Sequence, residues 1–101
     1  GGGINIGWVD VGDWLEYNID VETTGSYLIE YRLASDPGST GFRTLVDGVE
    51  IDAQSVPATG GWQSWITQSA TVNLQAGART LRIEAVGPMW NMNWFRLTRI
   101  N

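Results

Sequence analysis

Residues 14–21 read Trp14-Leu15-Glu16-Tyr17-Asn18-Ile19-Asp20-Val21, and residues 27–34 read Tyr27-Leu28-Ile29-Glu30-Tyr31-Arg32-Leu33-Ala34. In the first run Leu15, Tyr17, Ile19 and Val21 alternate with Trp14, Glu16, Asn18 and Asp20. In the second, Tyr27, Ile29, Tyr31 and Leu33 alternate with Leu28, Glu30, Arg32 and Ala34. A period of two sends one set of side chains to an apolar face and the other to a more polar one. Both runs therefore read as half-buried strands, with Thr24-Gly25 as turn chemistry between them.

The same period continues downstream. Asp36-Pro37-Gly38-Ser39 marks a loop, and Phe42 to Val46 and Val49 to Ala53 flank Asp47-Gly48, the strongest short-range signal for a hairpin. Pro57 to Gly61 is a second loop, followed by a short strand near Gln63 to Thr67 and another at Val72 and Leu74. Ala76-Gly77 turns into a strand from Thr80 to Val86, and a last one runs from Asn93 to Ile100. Short strands recurring at intervals of about ten residues, without helical periodicity, predict an all-β antiparallel sandwich or barrel. There is no internal repeat, low-complexity stretch or linker, so residues 1–101 read as one domain.

Composition narrows the chemistry. The 101 residues are 43% hydrophobic and 17% charged, enough apolar material for a core. Six basic and 11 acidic residues leave a net charge of -5, the wrong sign for a face that holds nucleic-acid phosphates. No apolar window is long enough to cross a membrane as a helix. The chain has no Cys, no His and no Lys. Thiolate nucleophiles, disulfides, imidazole bases, zinc sites of the Cys/His kind and Schiff-base lysines are therefore excluded. What stands out is 6 Trp and 13 Gly in so short a chain.

Tryptophan usually packs in a core, so position has to separate the platforms from the packing. Trp8 lies in Gly7-Trp8-Val9-Asp10, and Trp62 follows Thr59-Gly60-Gly61. A flat aromatic carried on a glycine-rich loop has little around it to pack against. Trp90, in Gly87-Pro88-Met89-Trp90-Asn91, fits an exposed platform and loop packing equally, and the face of Trp65 is unresolved. Trp14 and Trp94 fall in the polar phase of their strands, beside Glu16 and Asn18 and beside Arg96 and Thr98. Two tryptophans on the solvated face of a sheet make a second binding surface, or else lie under a loop or another strand. A neutral sugar offers C–H groups on one ring face and hydroxyls around its rim. It is bound by an aromatic plane together with a few fixed amides or carboxylates. Trp8, Trp62, Asn91, Asp10 and Gln63 supply that mixture from loops and strand ends.

Three separated stretches resemble family 6 carbohydrate-binding modules. They are Gly3-Ile4-Asn5-Ile6-Gly7-Trp8-Val9-Asp10-Val11-Gly12-Asp13-Trp14-Leu15-Glu16-Tyr17, Thr59-Gly60-Gly61-Trp62-Gln63-Ser64-Trp65 and Trp90-Asn91-Met92-Asn93-Trp94-Phe95-Arg96-Leu97. The resemblance implies a jelly-roll β-sandwich, non-catalytic and appended to secreted polysaccharide-degrading enzymes, with its site in loops at one end. Carried over residue by residue, the family's two stacking aromatics fall on Trp8 and Trp62 and its loop asparagine on Asn91. A second cleft on a sheet face, present in some members, falls on Trp14 and, by a looser match, Glu50. β-Glucan, xylan and agar-type saccharides are all within the ligand range this implies. It also implies a structural calcium held by acidic residues of a strand upstream of Gly1. None of those ligands is present, so the domain is expected to lack its N-terminal strand, and either to be less stable than a form extended upstream or to self-associate through the exposed edge.

Two other functions compete with sugar binding. A small glycoside hydrolase would need two carboxyls flanking a cleft, for which Asp10, Asp13, Glu16 and Glu50 are the candidates. An adhesive sandwich would bind a protein through its exposed tryptophans.

Overall fold

The computed structural model describes residues 3–6 and 11–100, so Trp8 and Asp10 lie outside the described residues. The strands are β1 (Gly3–Ile6), β2 (Trp14–Val21), β3 (Gly25–Ala34), β4 (Ser39–Val46), β5 (Val49–Val56), β6 (Ile66–Leu74), β7 (Gly77–Ala85) and β8 (Asn91–Arg99). One sheet has the order β1-β8-β3-β6 and the other β2-β7-β4-β5, with every neighbouring pair antiparallel. Among the described strands, the only link that stays within a sheet is the Asp47-Gly48 hairpin. Both of its residues have positive φ (51° and 83°), as a two-residue hairpin that matches strand twist requires. Every other connection crosses to the opposite sheet, which produces the sandwich of jelly-roll type.

The apolar phases meet between the sheets. Tyr27, Ile29, Tyr31 and Leu33 of β3 face Phe42, Val46, Leu81 and Ile83 in one buried cluster. Tyr31 and Phe42 meet edge-on at 4.8 Å between ring centroids, and Phe42 lies 4.9 Å from Trp90. Trp90 is 1% exposed and donates its indole N–H to the Gly87 carbonyl at 2.7 Å, which satisfies the one polar atom of the ring. Its open reading thus resolves to packing. Opposite the β1 edge, the space between the sheets is closed by polar groups. The Tyr31 hydroxyl shares a 2.7 Å hydrogen bond with Thr44 Oγ1 and donates to Asp52 Oδ2 at 2.9 Å. Burial raises the Tyr31 phenol far above its ordinary pKa and keeps it protonated.

Several boundaries depart from the sequence reading. The two short strands expected near 63–67 and 72–74 are one strand, β6, preceded by a loop. Gln68 breaks the apolar phase but faces inward, donating to Ser55 O at 2.7 Å and Gln54 Oε1 at 3.2 Å. Gly3–Ile6, for which the sequence predicts no strand, forms β1 and pairs with β8 around Gly3↔Trp94 and Ile6↔Met92. Four residues with two glycine neighbours carry too little alternation to announce a strand. Thr24-Gly25 is turn chemistry as expected, but it links different sheets and makes no hairpin.

Candidate functional site

The loops 35–38, 57–65 and 86–90 lie at one end of the sandwich, and hydrogen bonds tie them together. The Thr59 N–H donates to Ser35 O at 2.8 Å, and the Ser35 hydroxyl donates to Met89 O at 2.5 Å. Asn91, the first residue of β8, donates its side-chain amide to the Trp62 carbonyl at 2.9 Å. Two of the three residues expected at a loop-end site are therefore joined directly; the third, Trp8, lies outside the described residues. Trp62 is half-buried and Asn91 only 8% exposed. One amide hydrogen of Asn91 thus anchors the loop, which fixes the direction of its Oδ1 acceptor. The three loops carry Asp36 and no arginine. Their polar surface is built of amides, hydroxyls and carbonyls, suited to neutral hydroxyl groups.

Trp14 lies elsewhere, on the outer face of the β2-β7-β4-β5 sheet. It is 53% exposed, and the Arg82 guanidinium lies 4.2 Å from the ring centroid, within cation–π range. From there a ladder of opposite charges crosses the strands: Glu16–Arg82 at 3.1 Å, Arg82–Glu84 at 3.7 Å, Glu84–Arg43 at 2.7 Å and Arg43–Glu50 at 3.5 Å. Glu50 shares this face with Trp14, but on the far edge strand, three strand spacings or about 14 Å away. Arg43 holds the Glu84 carboxyl below the usual glutamate range, and Glu84 in turn raises the Arg43 guanidinium. An open cavity of about 340 Å³ lies at the start of β2, lined by Gly12, Asp13 and Trp14 and by the inward-facing Leu15, Ile83 and Trp90.

Trp94 does not join Trp14. Its strand belongs to the other sheet, where Trp94 pairs with Arg32 on the outward phase and Arg96 lies 5.0 Å from its ring. The two polar-phase tryptophans thus occupy opposite outer faces of the sandwich, and the single surface expected from them is replaced by two. Each ring carries an arginine. Among the described residues no group of three or more His, Cys, Asp or Glu side chains could hold a metal ion, so the implied calcium finds no donor set there.

Sequence reasoning missed Ser35, Thr59 and the charge ladder. The ladder had a signal, because Glu16, Arg82 and Glu84 all fall in the polar phase of adjacent alternations. Ser35 had none: it is the last residue before a loop, of a common type, and 0% exposed.

Comparison with known proteins agrees with this geometry. The family described as carbohydrate binding module (family 6) matches residues 1–99. The clotting factor G alpha subunit of Tachypleus tridentatus is 39% identical over 103 residues, covering 99% of this chain and 15% of that protein. The chain thus spans less than a sixth of that relative's length. The carbohydrate-binding module of Cellvibrio mixtus lichenase 5A, solved with cellotriose, superposes with a TM-score of 0.86 and 41% identity, over 96% of this chain and 78% of that one. A β-1,3-glucan-binding module of Bacillus halodurans gives a TM-score of 0.77 and 37% identity, over 93% and 75%. With the family model matched over residues 1–99 and the sandwich shared with solved modules, the chain belongs to the family 6 carbohydrate-binding modules.

Proposed function

We propose that this domain binds a neutral β-glucan at its loop end, with Trp62 as an aromatic platform, Trp8 as the second platform and Asn91 as the directed polar contact. The observation that carries this reading is the Asn91 amide held on the Trp62 carbonyl at 2.9 Å. It ties the loop that carries Trp62 to the first residue of β8, in loops that contain no cation. One solved relative, at 41% identity, holds cellotriose, and another, at 37%, binds β-1,3-glucan; both support a glucan ligand. The module works non-catalytically, outside the cell, and keeps an attached polysaccharide-degrading enzyme on its substrate. A glycosidase would need one carboxyl kept protonated as general acid. Among the described residues, the Asp47 and Glu84 carboxyls are both held below their ordinary range, the opposite direction.

A second reading concerns the sheet face. The 53% exposure of Trp14 favours an additional saccharide contact there, with Glu50 at the far edge of the same face. Affinity electrophoresis in gels containing β-1,3-glucan, a cellulose-type glucan, xylan or agarose tests the assignment. Retardation by a glucan that disappears in Trp62→Ala is the expected result. Equal retardation of the variant would refute the loop-end site.

A further inference from the structure

Ser35 is fully buried beneath the loop end, and its hydroxyl, N–H and carbonyl are all hydrogen-bonded. Its hydroxyl donates to Met89 O at 2.5 Å and accepts from Gly38 N at 3.0 Å. Its backbone N–H donates to Thr59 Oγ1 at 3.1 Å, and its carbonyl accepts from Thr59 N at 2.8 Å. Thr59 Oγ1 lies 3.2 Å from that carbonyl and 3.1 Å from Gly61 O, the residue before Trp62. One side chain and one peptide unit thus tie down the loop that carries Trp62, the loop that leads into Asn91, and the turn at Gly38.

The Met89 contact has a particular consequence. Met89 has φ 71°, a left-handed backbone conformation that side-chain-bearing residues rarely adopt and that costs about 1–2 kcal/mol relative to the ordinary helical region. Its side chain is 37% exposed, so packing around that side chain does little to impose the conformation. The carbonyl is what is held, by the Ser35 hydroxyl, two residues before Asn91. Asn91 itself is paired in register with Ala34, next to Ser35. Backbone strain next to a candidate site, kept in place by a buried hydrogen bond, is the observation from which a positioning role follows.

We infer that Ser35 is a positioning residue for the loop-end sugar site: by holding the strained Met89 carbonyl and the Thr59 loop, it sets the mutual placement of Asn91 and Trp62. This rests on the loop-end reading above as far as sugar affinity is concerned, but the placement itself can be measured without ligand. In Ser35→Ala the Asn91 side-chain amide protons are expected to exchange faster and the Trp62 indole resonance to shift in nitrogen–proton correlation spectra. Affinity for cellotriose should fall about tenfold, the size of one lost hydrogen bond. Adding Met89→Gly, which adopts positive φ freely, should return most of the affinity and both resonances without restoring the lost hydrogen bond. A purely structural role for Ser35 would leave that double variant as impaired as Ser35→Ala. Thr59→Val carries the same resonance test should Ser35→Ala fail to fold. Unchanged Asn91 and Trp62 signals in the folded variants, or no rescue by Met89→Gly, would overturn the inference. Trp62→Ala is measured in parallel. Full cellotriose affinity in that variant would overturn the loop-end reading, while the resonances still decide the role of Ser35.

Discussion

The loop end and the outer face of the β2-β7-β4-β5 sheet both present tryptophan, and they hold it by different physics. At the loop end Trp62 is half-buried and secured through backbone carbonyls and amides, by Asn91 and the Ser35–Thr59 cluster. On the sheet face Trp14 is exposed, and what lies over it is an arginine in a ladder of solvent-accessible ion pairs. Neutral hydrogen bonds among partly buried groups depend little on salt or pH. Exposed charge pairs are screened within about 8–10 Å and contribute little to stability individually. The loop end is thus fixed by its own hydrogen bonds, whereas the sheet face is adjustable and sensitive to its ionic surroundings.

The largest effect should come from the tryptophan of the core. Trp90 fills the core beside Phe42 and is 1% exposed. Trp90→Ala is expected to cost about 3–5 kcal/mol of stability, by lost burial and a residual cavity. Denaturant unfolding measures it. A loss below 1 kcal/mol would mean that Trp90 is a surface residue like Trp14, which would break the distinction between the core and the two faces.

Next in size is the separation of the faces themselves. Trp62→Ala should lose about 1–3 kcal/mol of glucan affinity, on the scale of other ring-on-aromatic stacking, with little change in melting temperature. Trp14→Ala should leave that affinity intact, because the two residues lie on different surfaces. Asn91→Ala should also weaken binding, and it carries a stability cost of about 1–3 kcal/mol because the Trp62 carbonyl loses its donor. Calorimetric titration alongside thermal melts reads all three. Equal affinity losses in Trp14→Ala and Trp62→Ala would show that the two regions form one site.

How much of this was legible beforehand differs between faces and partners. Which way the side chains of β2, β3 and the Trp94–Thr98 part of β8 point follows from the alternation alone, so Trp14 and Trp94 are legibly outward; the register shift beside Leu33 instead turns Met92 into the core. Which sheet each strand joins does not follow, because consecutive strands cross the sandwich at every link but one. For that reason Trp14 and Trp94 could be assigned to one surface when they occupy two. Trp62 and Asn91 are legible as loop residues able to read a sugar. Their contact is not, since it runs through a backbone carbonyl 29 positions away. The burial of Trp90 depends on Phe42, and the loop Gly87-Pro88-Met89 has no periodicity to reveal it. Ser35 acts through geometry that no residue type announces.

A smaller effect sharpens the sheet side. Arg82→Gln removes the cation over Trp14 and breaks the contacts to Glu16 and Glu84. The stability loss should stay below about 1 kcal/mol, because the pairs are exposed and screened. Trp14 fluorescence should become more accessible to a neutral quencher. Unchanged quenching would show that Arg82 does not cover the ring in solution.

The smallest effect is one of pH, and its sign follows from Glu84. Its folded pKa is held below the ordinary glutamate value of 4.5, first by the hydrogen bond from Arg43 and then by the charges of Arg43 and Arg82. A depressed carboxyl contributes stability that is fully present above the unfolded pKa and is lost as pH falls through the folded one. The melting-temperature gap between the parent protein and Glu84→Gln should therefore be constant from pH 8 down to about pH 5 and close below the ordinary glutamate range. Added salt should narrow it at neutral pH. Glucan affinity at the loop end should stay level across the same window, because Trp62, Asn91, Ser35 and Thr59 carry no group that titrates there. Thermal melts and binding isotherms over one pH series read both regions at once. An affinity that fell in step with the closing gap would mean that the charge ladder supports the sugar site, and the two surfaces would then have to be treated as coupled.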